Sequence, residues 1–255
     1  MKRLFLFLLL LPVYFLSAQP PLIHAHNDYQ NPEPLTNALR NKAFSIEADV
    51  HLSGNRLLVA HDKSELSTAR SLDSFYLQPI IKLFRQHKGR ISTDRNYAPV
   101  LVIDIKEFRP ASEKEDAIAA LIKLLGPHRS VFDRTVNVMA VQVVLSGDRG
   151  IISKWNSYPP YIFFDGRPNE VYDSVTLQRV AFISDSYINY MRPPDSIEIK
   201  VQQLVQKVHG EKKLLRLWSI PDNPESWNHL LKLGVDIINT DKVSECRKYF
   251  SSTGQ

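Results

Sequence analysis

A single-domain parallel β/α barrel of the TIM type is the fold that this chain of 255 residues predicts. Three observations point to it. Short apolar runs rich in Val, Ile and Phe alternate with longer segments whose apolar residues recur at helical spacing, the pattern of βα units. About eight such runs are present, without a repeat, low-complexity tract or long linker, and single barrels commonly reach this length. Charged residues and histidines gather at the carboxyl ends of the runs, where a barrel keeps its chemistry. A doubly wound open sheet is the competing architecture. Its dinucleotide-binding form is disfavoured, because no glycine-rich turn follows the first run.

The elements follow in order. "PLIHAH" (21–26) reads as the first strand, and "PEPLTNALRNK" (32–42) places Leu35, Ala38 and Leu39 at helical spacing. "AFSIEADV" (43–50) is the next strand, "HLSGN" (51–55) a turn and "LLVAHD" (57–62) a further β run. "SLDSFYLQPIIKLFRQH" (71–87) gathers Leu72, Phe75, Tyr76, Ile80 and Leu83 on one side of a helix. "PVLVIDIK" (99–106) is nearly continuous in apolar residues, as befits a strand covered on both faces. "SEKEDAIAALIKLLG" (112–126) opens with a capping-box pair, Ser112 and Glu115, and stops at Gly126. "TVNVMAVQVV" (135–144) reads as strand, "DRGIISKW" (148–155) as helix, and "YIFFDG" (161–166) and "VAFISDS" (180–186) as strands. The helix "SIEIKVQQLVQKVHG" (196–210), the strand "KLLRLWSI" (213–220), the helix "PESWNHLLKLG" (224–234) and the strand "VDIINTD" (235–241) complete the series. Pro224 and Glu225 suit a first helical turn, and Gly234 suits a stop.

The chain opens "MKRLFLFLLLLPVYFLSAQ". Lys2 and Arg3 precede a thirteen-residue apolar run, Leu4 to Leu16, with small residues after it. The run is too short for a membrane span, which needs about 20 residues. Residues 1–18 therefore predict a signal peptide cut near Ala18–Gln19, and residues 19–255 an exported (periplasmic or secreted) domain. The formal net charge is +5 and falls by two without Lys2 and Arg3, an excess too mild to predict nucleic-acid binding. It is compatible with an anionic small-molecule substrate or with peripheral contact at a membrane. Cys246 is the only cysteine, so no internal disulfide supports the fold.

The chemistry concentrates in a few strand ends. Glu47 and Asp49 in "SIEADV" are two residues apart and face the same way on a strand, while Ile46 and Ala48 face the other way. Two adjacent carboxylates repel, and burying them unpaired costs several kcal/mol, roughly. A divalent cation relieves both penalties, and an all-oxygen set suits Mg2+ or Ca2+ better than zinc. Asp104 and Lys106 share one face of "VLVIDIK", so Asp104 offers a third carboxylate and Lys106 a cation for a phosphate oxygen. Their bland reading is a structural ion pair. Among eight histidines, His26 and His61 follow different β runs and can divide acid and base roles across one substrate. His51 is better explained as structural, and His87, His128, His209 and His229 as solvated. The "HAH" of His24 and His26 has another reading, a zinc clamp of the amidohydrolase kind, but the further histidines that chemistry needs are missing.

Together, "HAHNDY", "SIEADVHLSGNRLLVAHD", "VLVIDIK" and "LRLWSIPDNPESWNHLLKLGVDIINTD" resemble the superfamily of phosphatidylinositol-specific phospholipases C and glycerophosphodiester phosphodiesterases. "HAHNDY" with "SLDSFYLQPI" looks closest to a bacterial and fungal subgroup. The resemblance implies a metal-dependent phosphodiesterase in which His26 and His61 act as base and acid. It implies Glu47, Asp49 and Asp104 as metal ligands, with Asn27 able to touch the metal as in the "HN" of the phospholipase C branch. The "DIK" of Asp104 and Lys106 is similar to the spider-venom phospholipase D branch. The glycerophosphodiester branch begins His-Arg-Gly, and here Asn27 and Asp28 replace the last two residues. The missing arginine points to Lys106 or Arg167 as its substitute on phosphate. His24 and Trp218 are further expected substrate contacts, Trp218 as a wall for the alcohol. The substrate expected is a lipid or small-molecule phosphodiester. Two rival readings are a zinc amidohydrolase and a barrel that holds phosphorylated ligands without turnover.

Overall fold

A computed structural model describes residues 21–106 and 111–253. Eight parallel strands close on themselves: β1 (Leu22–Ala25), β2 (Ser45–Ser53), β4 (Val100–Ile105), β5 (Gln142–Gly147), β6 (Ile162–Gly166), β7 (Val180–Ser186), β8 (Leu215–Trp218) and β9 (Ile237–Thr240). Pairing of β1 with both β9 and β2 shuts the ring, which excludes the open doubly wound sheet. The remaining strand, β3 (Arg56–Val59), lies antiparallel to β2 outside the ring. It carries "LLVAHD" back towards the carboxyl end of the barrel.

The two faces of each strand explain the layers. Ile46, Ala48 and Val50 of β2, Leu101, Ile103 and Ile105 of β4, and Val143 and Leu145 of β5 are buried against the surrounding helices. Among these helices are α1 (Thr36–Arg40), α2 (Gln78–Gln86), α3 (Ala111–Leu125), α4 (Arg129–Phe132), α5 (Ser174–Arg179), α6 (Ile197–Gly210), α7 (Pro224–Lys232) and α8 (Val243–Thr253). Ile80 and Phe84, Leu121 and Leu125, Val201 and Val208, Trp227, and Cys246 with Phe250 are their core-facing side chains. Burying each contributes about 1.5–3 kcal/mol. The opposite strand parity points into the barrel. Val100, Val102, Val144, Phe182 and Ile237 plug its amino end, so most of the charged groups on that parity fall in the middle and at the carboxyl mouth.

Local chemistry sets the boundaries. Asn223 caps α7 by accepting from the Ser226 N–H, and Pro224 opens its first turn. Three expectations need correction. Residues 51–53 are strand rather than turn, because the hairpin turns tightly at Gly54 and Asn55 and pairs Ser53 with Arg56. Residues 135–140 are turn rather than strand. Asp133 Oδ1 accepts from the Thr135 N–H and hydroxyl, and Asn137 Oδ1 accepts from the Met139 N–H, so side chains take the groups a ladder would use. The "DRGIISKW" helix is a short 3-10 segment, Ile152–Ser157.

Candidate active site

Register brings three carboxylates together. Asp49 of β2 is paired with Asp104 of β4, and Glu47 lies one inward position below Asp49. One oxygen from each of Glu47, Asp49 and Asp104 falls within 4.8 Å of the others. Lys106 Nζ bridges two of them, 3.0 Å from Asp49 Oδ2 and 2.8 Å from Asp104 Oδ2. Burial alone would lower the Lys106 pKa, but Asp104 and Asp49 outweigh it and raise it. Burial, then Glu47 and Asp104, push Asp49 up to about 6; burial and then Glu47 also raise Asp104.

The residues fit a hard cation. Asp49 Oδ1 and Asp104 Oδ1 are buried and find no hydrogen-bond partner among the described residues. Uncompensated buried carboxylate oxygens are costly, and a divalent cation on an all-oxygen set removes the cost. The space is kept open by Gly147 on β5, whose φ of +64° suits glycine. A Cβ at this position would lie 1.9 Å from Asp104 Oδ1 and 2.5 Å from the Ile105 carbonyl oxygen.

The turn after β1 wraps this cluster. Asn27 has φ 46°, a left-handed conformation asparagine tolerates. Its N–H points at Glu47 Oε2 at 3.4 Å, and its side-chain oxygen lies 3.3 Å from Tyr29 OH. The phenol donates to Asp49 Oδ2 at 2.8 Å. Asp28 points away from the mouth, fully buried, and accepts from the Leu35 N–H at 2.6 Å and Tyr76 OH at 2.8 Å. Where the glycerophosphodiester branch has glycine, this chain has an anchor for its turn.

His26 sits at the edge of the mouth. Its Nδ1 is 2.7 Å from Asp241 Oδ1 at the end of β9, and its Nε2 is 3.8 Å from Glu47 Oε2. Burial would lower its pKa, but the Asp241 hydrogen bond and the Glu47 charge prevail and raise it. Asp222, in the loop after β8, accepts from the Asp241 N–H at 3.1 Å and the Thr240 hydroxyl at 2.6 Å, fixing that strand end. His61 stands on the β3 arm, its side chain 46% exposed. Glu65 Oε2 receives its N–H at 2.9 Å, and the buried His51 reaches its carbonyl at 3.2 Å through Nε2. His51 is thus the structural histidine expected, a prop for the arm.

His24 is not a substrate contact in this geometry. It is fully buried behind Glu47, with Nδ1 2.7 Å from Ser45 Oγ and Arg216 Nη1 2.5 Å from Nε2. The same Nε2 lies 3.2 Å from Glu47 Oε2. Burial and then Arg216 lower the His24 pKa to about 4, so the ring is neutral. Both nitrogens are therefore engaged and unavailable to zinc. Burial disfavours the Glu47 charge, but His24 and Arg216 outweigh it and hold the carboxyl below the usual range. Beneath lies a buried lattice in which Asp165 Oδ2 accepts from Arg216 Nη2 at 3.0 Å, Ser146 Oγ at 2.9 Å and Ser184 Oγ at 2.7 Å, with Arg167 Nη1 also 3.0 Å away.

A cavity of about 660 Å³ opens over this floor. His26, Glu47, His61, Asp104, Lys106, Arg167 and Trp218 all line it, so most of the residues singled out by sequence share one wall-to-wall space. Asp49 and Asn27 stand just behind the wall, joined through Tyr29. His87, His128, His209 and His229 lie elsewhere. Sequence reasoning passed over Arg216, Asp165, Ser146, Ser184, Asn239 and Asp222, and gave Asp241 no role beside His26. The signal was present for most: Arg216, Asp165 and Ser184 interrupt apolar strands at the inward parity, as Asp104 does.

Residues 15–108 match the AIM6-like phosphodiesterase domain. That stretch contains His26, Glu47, Asp49, His61, Asp104 and Lys106. The chain is 25% identical to an Altered inheritance of mitochondria protein 6 homolog from Arthroderma benhamiae, over 91% of this chain and 84% of the relative. It is 27% identical to Altered inheritance of mitochondria protein 6 from Eremothecium gossypii, over 89% of this chain and 69% of that protein. Among solved structures, a glycerophosphodiester phosphodiesterase from Parabacteroides distasonis superposes with a TM-score of 0.62 at 18% identity, covering 92% of this chain and 98% of the other. A Ca2+-dependent phosphatidylinositol-specific phospholipase C from Streptomyces antibioticus gives 0.53 at 12% identity, covering 89% and 95%. These solved structures share the closed β/α barrel with this chain, and residues 15–108 carry its likeness to the phosphodiesterase domain. The expectation of export is corrected by the relatives, whose names tie them to mitochondrial inheritance. That expectation rested on Lys2, Arg3, the apolar run and the small residues Ser17 and Ala18, which lie outside the described residues, and such a pattern does not specify one destination.

Proposed function

We propose that this chain is a divalent-cation-assisted phosphodiesterase acting on a lipid or glycerol-type phosphodiester. The observation that carries the reading is the convergence of Glu47, Asp49 and Asp104 on one point at a cavity wall shared by His26 and His61. Asp241 holds the His26 ring by Nδ1, which leaves Nε2 facing the mouth as a base. His26 Nε2 takes the proton of the attacking hydroxyl, from water or from a neighbouring hydroxyl of the substrate. As the new P–O bond forms, the bond to the leaving alcohol breaks and His61 supplies that oxygen with a proton. Lys106 and Arg167 face the non-bridging oxygens, in the role the missing arginine leaves open. Trp218 and Ile220 wall the alcohol. Mg2+ or Ca2+ held by the three carboxylates would supply positive charge to offset the charge growing on phosphorus oxygens.

The test is turnover of glycerophosphocholine, phosphatidylinositol and bis-(p-nitrophenyl) phosphate by purified full chain after chelation, with and without each cation. Activity on at least one substrate that vanishes on chelation and returns with Mg2+ or Ca2+ is expected. Binding of these compounds without product, with either cation present, would replace the enzyme by a phospho-ligand-binding barrel.

A further inference from the structure

The exposed large aliphatic side chains of the described residues are not spread evenly. Six of the eight, Ile151, Val171, Val175, Ile188, Met191 and Ile199, follow β5, β6 and β7 on the catalytic face. Only Val136 and Val138 lie at the amino end. Val171 is 91% and Ile188 59% exposed. Because β5, β6 and β7 are neighbours in the sheet, their loops form one continuous arc of the rim. The acid–base residues come from β1, the β3 arm and β9, on the other arc. The apolar arc also holds a groove of about 660 Å³, lined by Ile188, Met191, Pro193, Pro194 and Arg192. No carboxylate pairs with Arg192 among the described residues.

Clusters of exposed aliphatics on a soluble surface mark a contact. The arc borders the end of the barrel at which the cavity opens. An apolar groove edged by an unpaired guanidinium matches a phospholipid, with acyl chain against the groove and phosphate against Arg192. The other exposed charges on the arc, Lys154, Asp173, Asp195 and Glu198, are mostly acidic, which disfavours an anionic surface and leaves a zwitterionic headgroup layer as the match. No described helix is long and apolar enough to cross a membrane.

We propose that this arc docks the barrel on a phospholipid bilayer, mouth down, so that a membrane lipid reaches the cavity without leaving the headgroup layer. The proposal rests on the phosphodiesterase reading for its purpose, not for its test. The full chain is to be sedimented with phosphatidylcholine vesicles, beside the Ile188→Asp/Met191→Asp variant. Both residues are exposed and outside the cavity that the catalytic groups line, so the variant is expected to keep its fold and its turnover of soluble bis-(p-nitrophenyl) phosphate. Wild type is expected to partition at least about tenfold more strongly than the variant, as the loss of two buried aliphatic contacts implies, with little dependence on salt. The apolar segment Leu4–Leu16 is common to both proteins and drops out of the comparison. A second reading is independent of it: Trp introduced as Ile188→Trp is quenched by acyl-brominated phosphatidylcholine, above the background of native tryptophans. Equal partitioning with an unquenched Trp overturns the docking surface. Absence of soluble turnover with docking intact overturns the phosphodiesterase reading instead. Binding only when an anionic lipid is mixed in, lost at high salt, rejects the apolar arc in favour of charge.

Discussion

Tyr29 OH donates to Asp49 Oδ2 across 2.8 Å, linking the turn after β1 to the carboxylate cluster of β2 and β4. Groups that hold a ligand's orientation typically matter roughly 10–100-fold for metal affinity. Tyr29→Phe removes only the donor. Calorimetric titration with Mg2+ and Ca2+ should show weakening of that order with an unchanged melting temperature. An unaltered Kd would mean that Lys106 and the backbone hold Asp49 without help.

The His26–Asp241 contact makes a prediction about pH. The base must be unprotonated, so the acid limb of kcat/KM reports its pKa. Asp241 and Glu47 raise that pKa above the ordinary imidazole value against the effect of burial. Asp241→Asn removes one of these charges and replaces a pure acceptor by an amide that can donate to Nδ1, favouring the tautomer with its proton on Nε2. The acid limb should move to lower pH while the plateau falls by roughly 10²–10⁴-fold. A lower plateau with an unmoved limb would assign Asp241 to packing alone.

His61 offers a test through the leaving group. An alkyl alcohol needs a proton as it departs, and p-nitrophenol hardly does. His61→Ala should therefore cost roughly 10²–10⁴-fold on an alkyl phosphodiester and far less on bis-(p-nitrophenyl) phosphate. Equal losses on both would place His61 in binding rather than in proton delivery.

Asp28 ties stability to pH. Burial raises its pKa to about 6, against the Leu35 and Tyr76 hydrogen bonds that lower it. The folded protein thus holds the proton more tightly than the unfolded chain does. That advantage is complete below pH about 4 and is lost as pH rises through about 6, costing about 3 kcal/mol at neutrality. Asp28→Asn keeps an acceptor for both donors and cannot ionise. Urea midpoints should fall more steeply between pH 4 and 7 in the wild type than in the variant, the difference being the share of Asp28. Parallel curves would remove Asp28 from the account.

Much of this was legible because the barrel writes its chemistry in strand parity. Glu47, Asp49, Asp104 and Lys106 could be placed on one inward face from spacing alone, and the structure sets them around one point. Alternation along a strand does not reveal depth, however. His24 and His26 share a face, yet one is sealed beneath Glu47 and the other stands at the mouth. The turn at 135–140 was misread because apolar letters in "TVNVMAV" outvote the asparagine and aspartate side chains that capture its backbone. Arg216 and Asp165 went unremarked, since charges in strand centres gain meaning only when the ring closes and brings them face to face.

Gly147 leads to a last point. It contributes no atom to catalysis, yet any other residue there would force Asp104 aside. On the proposed function, the capacity to grip an ion is carried partly by emptiness on a strand that donates no ligand. A lineage could discard that capacity through one added methyl group while keeping every acidic residue in place, and a reader matching ligands alone would still count such a descendant as a metalloenzyme.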